Sequence, residues 1–545
     1  MPPSFHARRL APLLLLALGA CNREDGAAPP APSASPGQVK PVQASAVSRY
    51  AAARFADQVS FGATPALVAE IQAKGYARWI DDQFALPVST IDAKPIKFLN
   101  NDNQAQREFD WRYHNMQLAS AVVGSPDQLR HRVSFALSQY ITISLRKADT
   151  YGGLLYANLL QEHAFGNYGS LIRAVTISPA MGEFLDNISN RPKSEACPSC
   201  APNENYAREL MQLFTLGVVK LNQDGSVQRD ARRLPAESYS QKDVEELARA
   251  LTGWNWANTP LGYDRGRYEG KLIPDSWDVT HDRGEKRILG STVPAGGGPN
   301  EDLDAVVAIL MAHPNIAPFV STRLIQHLVM SNPSPAYIAR VAAVFRNNGQ
   351  GVSGDMKAVI KAVLLDPDAR AGDSLASQNN SVGKIREPVL WMSGLVRGLE
   401  CAKPLNHPTD GGVAWPQSQH IMRPESVFSF YAPTDRAPGS NLLAPEQRLL
   451  NASELAGRMW GYWLDDPAYT AAGQCKTAPF IAAFQTSPNA FADLVGERYF
   501  RGAMPAALRQ TLIEMAPVVW GDTPHQRAMH LLLYALATPY YGAIR

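Results

Sequence analysis

From Tyr50 onward, apolar residues recur at helical rather than strand spacing. Thr64-Pro65 reads as an N-cap followed by proline at the first helical position. In ALVAEIQAKGYARWIDDQF the apolar positions Leu67, Ile71, Trp79, Ile80 and Phe84 then fall near a 3.6-residue period. DQLRHRVSFALSQYITISL, SLIRAVTISPAMGEFLDN and NENYARELMQLFTLGV predict three more helices, the last stopped by Gly217. QKDVEELARALTGW follows with Ser240 as its N-cap, and helical patterning continues through EDLDAVVAILMAH, IAPFVSTRLIQHLVM, REPVLWMSGLVRGL and TPHQRAMHLLLYALAT. Strand signals are few. Residues 218–239 place an Asp224-Gly225 turn between short β-capable runs and predict a small hairpin insert. The pattern therefore predicts a mainly α, large multi-helical single domain over residues 50–545, with a bilobed division at the Gly/Pro-rich stretch 290–300 left open.

The first 21 residues follow a different logic. Arg8 and Arg9 precede an apolar run from Leu10 to Ala20, too short to span a bilayer and shaped like a secretory signal. It ends in Leu18-Gly19-Ala20-Cys21, which resembles a bacterial lipobox: small residues suit a signal peptidase, and the Cys21 thiol would take the diacylglycerol. By resemblance to lipoprotein sorting, Asn22 in the next position favours the outer membrane. Residues 22–49 are Pro/Ala/Ser-rich and aperiodic, which predicts a tether. No later run offers 18 uninterrupted apolar residues, so the expected membrane contact is the acylated Cys21 in the cell envelope.

Charge narrows the function classes. The chain of 545 residues has 52 Lys+Arg against 50 Asp+Glu, and Arg8 and Arg9 account for the excess. A neutral body without a basic stripe argues against nucleic acid as a partner. The other cysteines, Cys197, Cys200, Cys401 and Cys475, are even in number, as disulfides in an oxidising compartment would be. Cys197-Pro198-Ser199-Cys200 lies among Pro, Ser and Asn instead of opening a helix after a strand, so a structural staple is expected over a redox pair. A Cys401–Cys475 pairing stays open at this stage.

Standard catalytic signatures are absent: there is no H-E-x-x-H, G-x-S-x-G, P-loop or dinucleotide fingerprint. A calcium loop around Gly225 fails because Lys220 and Ala231 stand where carboxylates are needed. What remains is polar density. Asp186 precedes the cysteine insert, and Asn203, Glu204, Asn205, Arg208 and Glu209 follow it, with Glu204/Arg208 and Asn205/Glu209 as i,i+4 neighbours. His281, Asp282 and Lys286 lie in a later loop. Carboxylates at the edge of a core need a cation or donor. Glu204, Glu209, His281 and Asp282 are therefore the candidate catalytic residues, and Asp186, Asn203, Asn205, Arg208 and Lys286 the candidate binding residues. His281 and Asp282 are expected to fold over the Glu204 helix. Lys384 and Arg386 sit at a helix start that suits Glu387 and not cations, which hints at an external partner for them. No cofactor or metal follows from the sequence.

N-E-N-Y-A-R-E-L-M-Q-L-F-T-L-G-V and S-Q-K-D-V-E-E-L-A-R-A-L-T-G-W closely resemble the signature of the bacterial domain-of-unknown-function family numbered eighteen hundred. The likeness continues through HAFGNYGSLIRAVTISPAMGEFLDN, the H-D-x-x-x-K segment at His281 to Lys286, GKIREPVLW, RPESVFSFYAP and APEQR. The resemblance implies a secreted, mostly helical protein, with a secreted protein of alkaline phosphatase/sulfatase-like fold as a possible partner. Many members carry a Trp-His-Asn-His-like stretch in the second helix; here the matching run is Phe135-Ala136-Leu137-Ser138-Gln139-Tyr140, which has no histidine. Two functions are compatible with these observations. One is an envelope lipoprotein that binds or assembles a secreted partner or surface polymer. The other is an extracytoplasmic hydrolase or transferase acting on an envelope polymer through the carboxylate/histidine set.

Overall fold

A computed structural model of the chain describes residues 47–95, 104–195, 197–257, 270–275, 280–377, 382–405, 418–460 and 464–544. The expected signal peptide, Cys21 and the tether up to residue 46 lie outside the described residues. Helices dominate the remainder, and the described strands form three two-stranded antiparallel ladders. Residues 46–545 hold together as one unit, and the stretch 290–300 does not split it. That stretch instead completes a hairpin, Lys286–Ile288 with Ser291–Val293, and leads into the helix Pro299–Ala312.

Several helix boundaries follow local chemistry. The Thr64 hydroxyl caps the helix Pro65–Lys74, but Gly75 at φ +74° ends it and a second helix runs Tyr76–Ala85. The apolar period continues across this break, which is why the sequence reads as one helix; the left-handed backbone at Gly75 is what ends the first. Likewise, Pro179 starts a new helix after Tyr168–Thr176. Ser240 and Asp243 form a reciprocal capping box on the helix Gln241–Ala250. The signature run beginning at Asn203 is less regular than its pattern suggests. A single turn, Asn205–Glu209, passes into a π-helix at Leu210–Thr215, which Gly217 (φ +75°) terminates.

The hairpin expected at 218–239 is present as a folded-back β excursion. Val219 faces Glu237, Leu221 faces Val227 and Arg229 faces Pro235. At its tip the Asp224 carboxylate accepts from the Ser226 amide at 2.9 Å and hydroxyl at 2.6 Å, an Asx turn that satisfies this acid internally. No single described helix is long and apolar enough to cross a membrane.

Candidate functional site

The candidate residues read from the sequence fall into three separate places. Glu204 pairs with Arg208 at 2.8 Å, and both reach Gln241, which donates to Glu204 at 2.9 Å and accepts from Arg208 at 3.0 Å. This trio is more than a third exposed at both charged side chains and sits at the start of the helix Gln241–Ala250. Glu209 points elsewhere. It is buried, its Oε2 has no hydrogen-bond partner among the described residues, and burial raises its pKa against the opposing pull of Arg208.

His281, Asp282 and Lys286 belong to the other end of that helix. Asp282 receives a two-pronged contact from Arg249, at 2.8 and 3.0 Å, plus the Gly284 amide at 2.9 Å. His281 Nδ1 donates to the Thr252 carbonyl at 2.8 Å, and its Nε2 faces Asp302 at 3.2 Å. Lys286, with no solvent access, donates to Asp302 at 2.6 Å and to the Asp282 carbonyl. Burial pushes the Asp302 carboxyl up, but His281 and Lys286 outweigh it and hold the pKa below the usual value. Gly253 permits the approach, since a Cβ there would lie 2.8 Å from the His281 Cβ. Gln241 and Arg249 are eight residues apart, about 12 Å along a helix. The expected closure of His281 and Asp282 over Glu204 therefore does not occur: Arg249 and Asp302 satisfy the loop first.

The third place is an open cleft of about 460 Å³ that Asp186 and Asn203 line together with Lys147 and Asn190. Asp186 binds Lys147 at 2.5 Å and accepts from the Asn205 amide at 3.2 Å. Asn190 accepts from the Asn203 backbone at 2.7 Å, which fixes the approach to the signature helix. The Cys197–Cys200 disulfide is formed, and Cys200 borders the same cleft; Cys401 and Cys475 are also joined.

A larger cavity, about 610 Å³, was not legible as a site. Its wall comes mainly from residues 418–449, including Arg423, Phe428, Tyr431 and Arg448, with Arg146 contributed from an earlier segment of the chain. Arg146 pairs there with Glu425. Behind Tyr431 lies a buried ion cluster. Lys384 donates to Glu387 at 2.9 Å and to Glu446 at 3.2 Å, while Gln139 and Gln419 donate to Glu387 at 2.8 and 2.6 Å. Burial pushes Glu387 up, but Lys384 and then His327 and Arg132 reverse this and hold it at about 2; in Glu446 burial prevails and its pKa rises. His327 stacks on Tyr140 and is held down at about 3, by burial first and then by Lys384. The external partner expected for Lys384 and Arg386 is thus replaced by internal ones. Arg386 binds Asp57 at 3.0 Å and lies over Tyr541. Among the described residues, no group of three or more His, Cys, Asp or Glu side chains is arranged to hold a metal ion.

Comparison with known families gives one match. The model described as "Protein of unknown function (DUF1800)" covers residues 54–542. The chain belongs to this family. No match was found among curated proteins or among solved structures.

The family motifs GKIREPVLW, RPESVFSFYAP and APEQR contribute Lys384 and Glu387, Tyr431, and Glu446 to one place. Gln139 joins them through Glu387. A signal was therefore present in those motifs. Spacing along the chain could not unite them, because Gln139 and Glu446 are brought together only by the tertiary fold.

Proposed function

We propose that this protein is a cell-envelope lipoprotein, held at the outer membrane through acylated Cys21, whose helical body binds a surface polymer and helps to assemble it. The observation that carries this reading is the placement of the two open cavities. Adjacent residues Arg146 and Lys147 line one each, so a chain-like ligand lying along this surface meets both. Binding of a polymer is favoured over its hydrolysis because Glu204 stands with Arg208 and Gln241 at one end of the helix Gln241–Ala250, and His281 with Asp282 at the other, so these carboxylates and the histidine do not share a site. The secreted partner of alkaline phosphatase/sulfatase-like fold, implied by family resemblance, would act on the polymer so held.

The test is co-sedimentation of the detergent-solubilised full chain with polymer isolated from the envelope of the producing cell. Binding that saturates, and that falls at least tenfold when Lys147 and Arg146 are both replaced by Gln, supports the reading. Absence of polymer binding overturns it. The anchor is tested separately: Cys21→Ser should abolish incorporation of labelled fatty acid, and full retention of label would remove the lipoprotein assignment.

A further inference from the structure

We infer that the 610 Å³ cavity is an anionic-glycan site, taking saccharide units that carry carboxylate or phosphate groups; this rests on the polymer reading above and names its chemistry. Charge is the first observation. Of the three arginines on the wall, Arg146 is answered by Glu425. Arg423 instead lies with its guanidinium 4.7 Å from the Trp111 ring centroid, and its buried Nε has no hydrogen-bond partner among the described residues. Arg448 is exposed and forms no ion pair among the described residues. Asp435 is the remaining acid of the lining, so the wall carries two guanidinium groups against one further carboxylate. Guanidinium groups are suited to paired contacts with carboxylate or phosphate oxygens, and among the described residues those of Arg423 and Arg448 are committed to no carboxylate.

The second observation is the character of the surface between the charges. Phe428 is 50% exposed although it is a large apolar ring, and it forms the cavity wall beside Phe430 and Tyr431. Flat rings beside the exposed, hydroxyl-bearing Ser426 match the two aspects of a sugar, an apolar face and a polar rim. His420 completes this surface as a neutral imidazole. Burial, and then Arg423, hold it down at about 4, so at neutral pH it offers a hydroxyl partner and not a third cation. A bare polyanion would have no use for the rings, and a neutral sugar none for the two free arginines. The volume lies in the range of ordinary ligand pockets and admits a short stretch of polymer at a time.

The test uses the full chain and four polymers: polygalacturonate, phosphorylated mannan, neutral dextran and inorganic polyphosphate, with affinities measured by calorimetry at two ionic strengths. At least one of the two acidic glycans should bind ten times more tightly than dextran, and weaken as salt is raised. Arg423→Gln with Arg448→Gln should reduce that binding at least tenfold. Phe428→Ala, an exposed substitution that leaves the charges in place, should weaken the glycan and leave polyphosphate unchanged. Which acidic glycan prevails decides between carboxylate and phosphate. Dextran binding equally well, polyphosphate matching the glycans, or a folded double variant with unchanged affinity would each overturn the inference. Retained binding of isolated envelope polymer in any of those cases leaves the polymer reading standing; loss of all polymer binding removes both.

Discussion

Lys384 donates to two carboxylates at once, Glu387 at 2.9 Å and Glu446 at 3.2 Å, and none of the three side chains is more than 2% exposed. One buried ammonium thus serves two buried acids that come from opposite sides of a gap of nearly sixty residues in sequence. Removing a single member of such a set strands charge in the interior. Lys384→Met is expected to cost about 3–5 kcal/mol of folding stability. Equilibrium denaturation in urea measures it, and a loss below about 1 kcal/mol would show that the cluster does not hold the fold.

The same cluster sets a pH dependence. Glu387 titrates at about 2 in the folded protein against an ordinary 4.5, so the unfolded chain binds more protons between those values. Its stabilising contribution is complete above about pH 4.5 and is lost as pH falls toward 2. Glu446 has the opposite sign. Its folded pKa is raised, so its contribution is present at low pH and declines as pH rises through that raised value. Stability followed from pH 2 to 8 should therefore show an acid limb that flattens in Glu387→Gln. Glu446→Gln should instead remove the decline on the alkaline side while keeping the acid limb.

The two polar clusters at the ends of the helix Gln241–Ala250 predict unequal responses. Asp302 is buried and bridges Lys286 and His281, so Asp302→Ala removes the near carboxylate of a buried cation, leaves it only Asp282 at 3.9 Å, and should cost about 3 kcal/mol. Glu204 faces solvent with Arg208 and Gln241. Glu204→Gln should change stability by no more than about 0.5–1 kcal/mol. Thermal melts of the two variants side by side check this, and comparable losses would mean that the exposed trio is held more rigidly than its solvent access implies.

Much of the helical fold was legible because amphipathic periodicity and capping are local. Ser240 with Asp243, and Thr64 with Pro65, mark their helix starts in the structure as they do in the sequence. Breaks were harder. Gly75 and Pro179 interrupt apolar patterns that continue on both sides, since both flanking helices bury their apolar faces in the same core. The site was legible least of all. The need of a core-edge carboxylate for a cation suggested that His281 would meet Glu204, but Arg249 and Asp302 compete for that loop, and neither choice can be read without knowing which helices neighbour it. At a helix start, Lys384 and Arg386 suggest cations that await an external partner. Glu387, three residues on, answers Lys384, while the other carboxylates that meet these cations, Glu446 and Asp57, are distant in the chain and are revealed only by packing.

The two disulfides close loops of very different length, which gives them different energetic weight. Cys197 and Cys200 are three residues apart, whereas Cys401 and Cys475 are 74 apart. On a loop-closure account, the short link restricts the unfolded chain by about 2 kcal/mol and the long one by about 4 kcal/mol. The long link also joins segments that already meet through backbone bonds, Lys403 to Gly473 at 3.2 Å and Lys476 to Leu399 at 2.8 Å, so its geometry is supported without the covalent bond. Its removal should therefore leave the native contacts in place and act chiefly on the unfolded state. Alkylation of the protein isolated without reductant should find all four thiols blocked by pairing. Cys401→Ser with Cys475→Ser should then lower the urea midpoint about twice as far as Cys197→Ser with Cys200→Ser. Equal shifts would mean that the short staple acts on the native state, by ordering the rim of the cleft that Cys200 shares with Asp186 and Asn203.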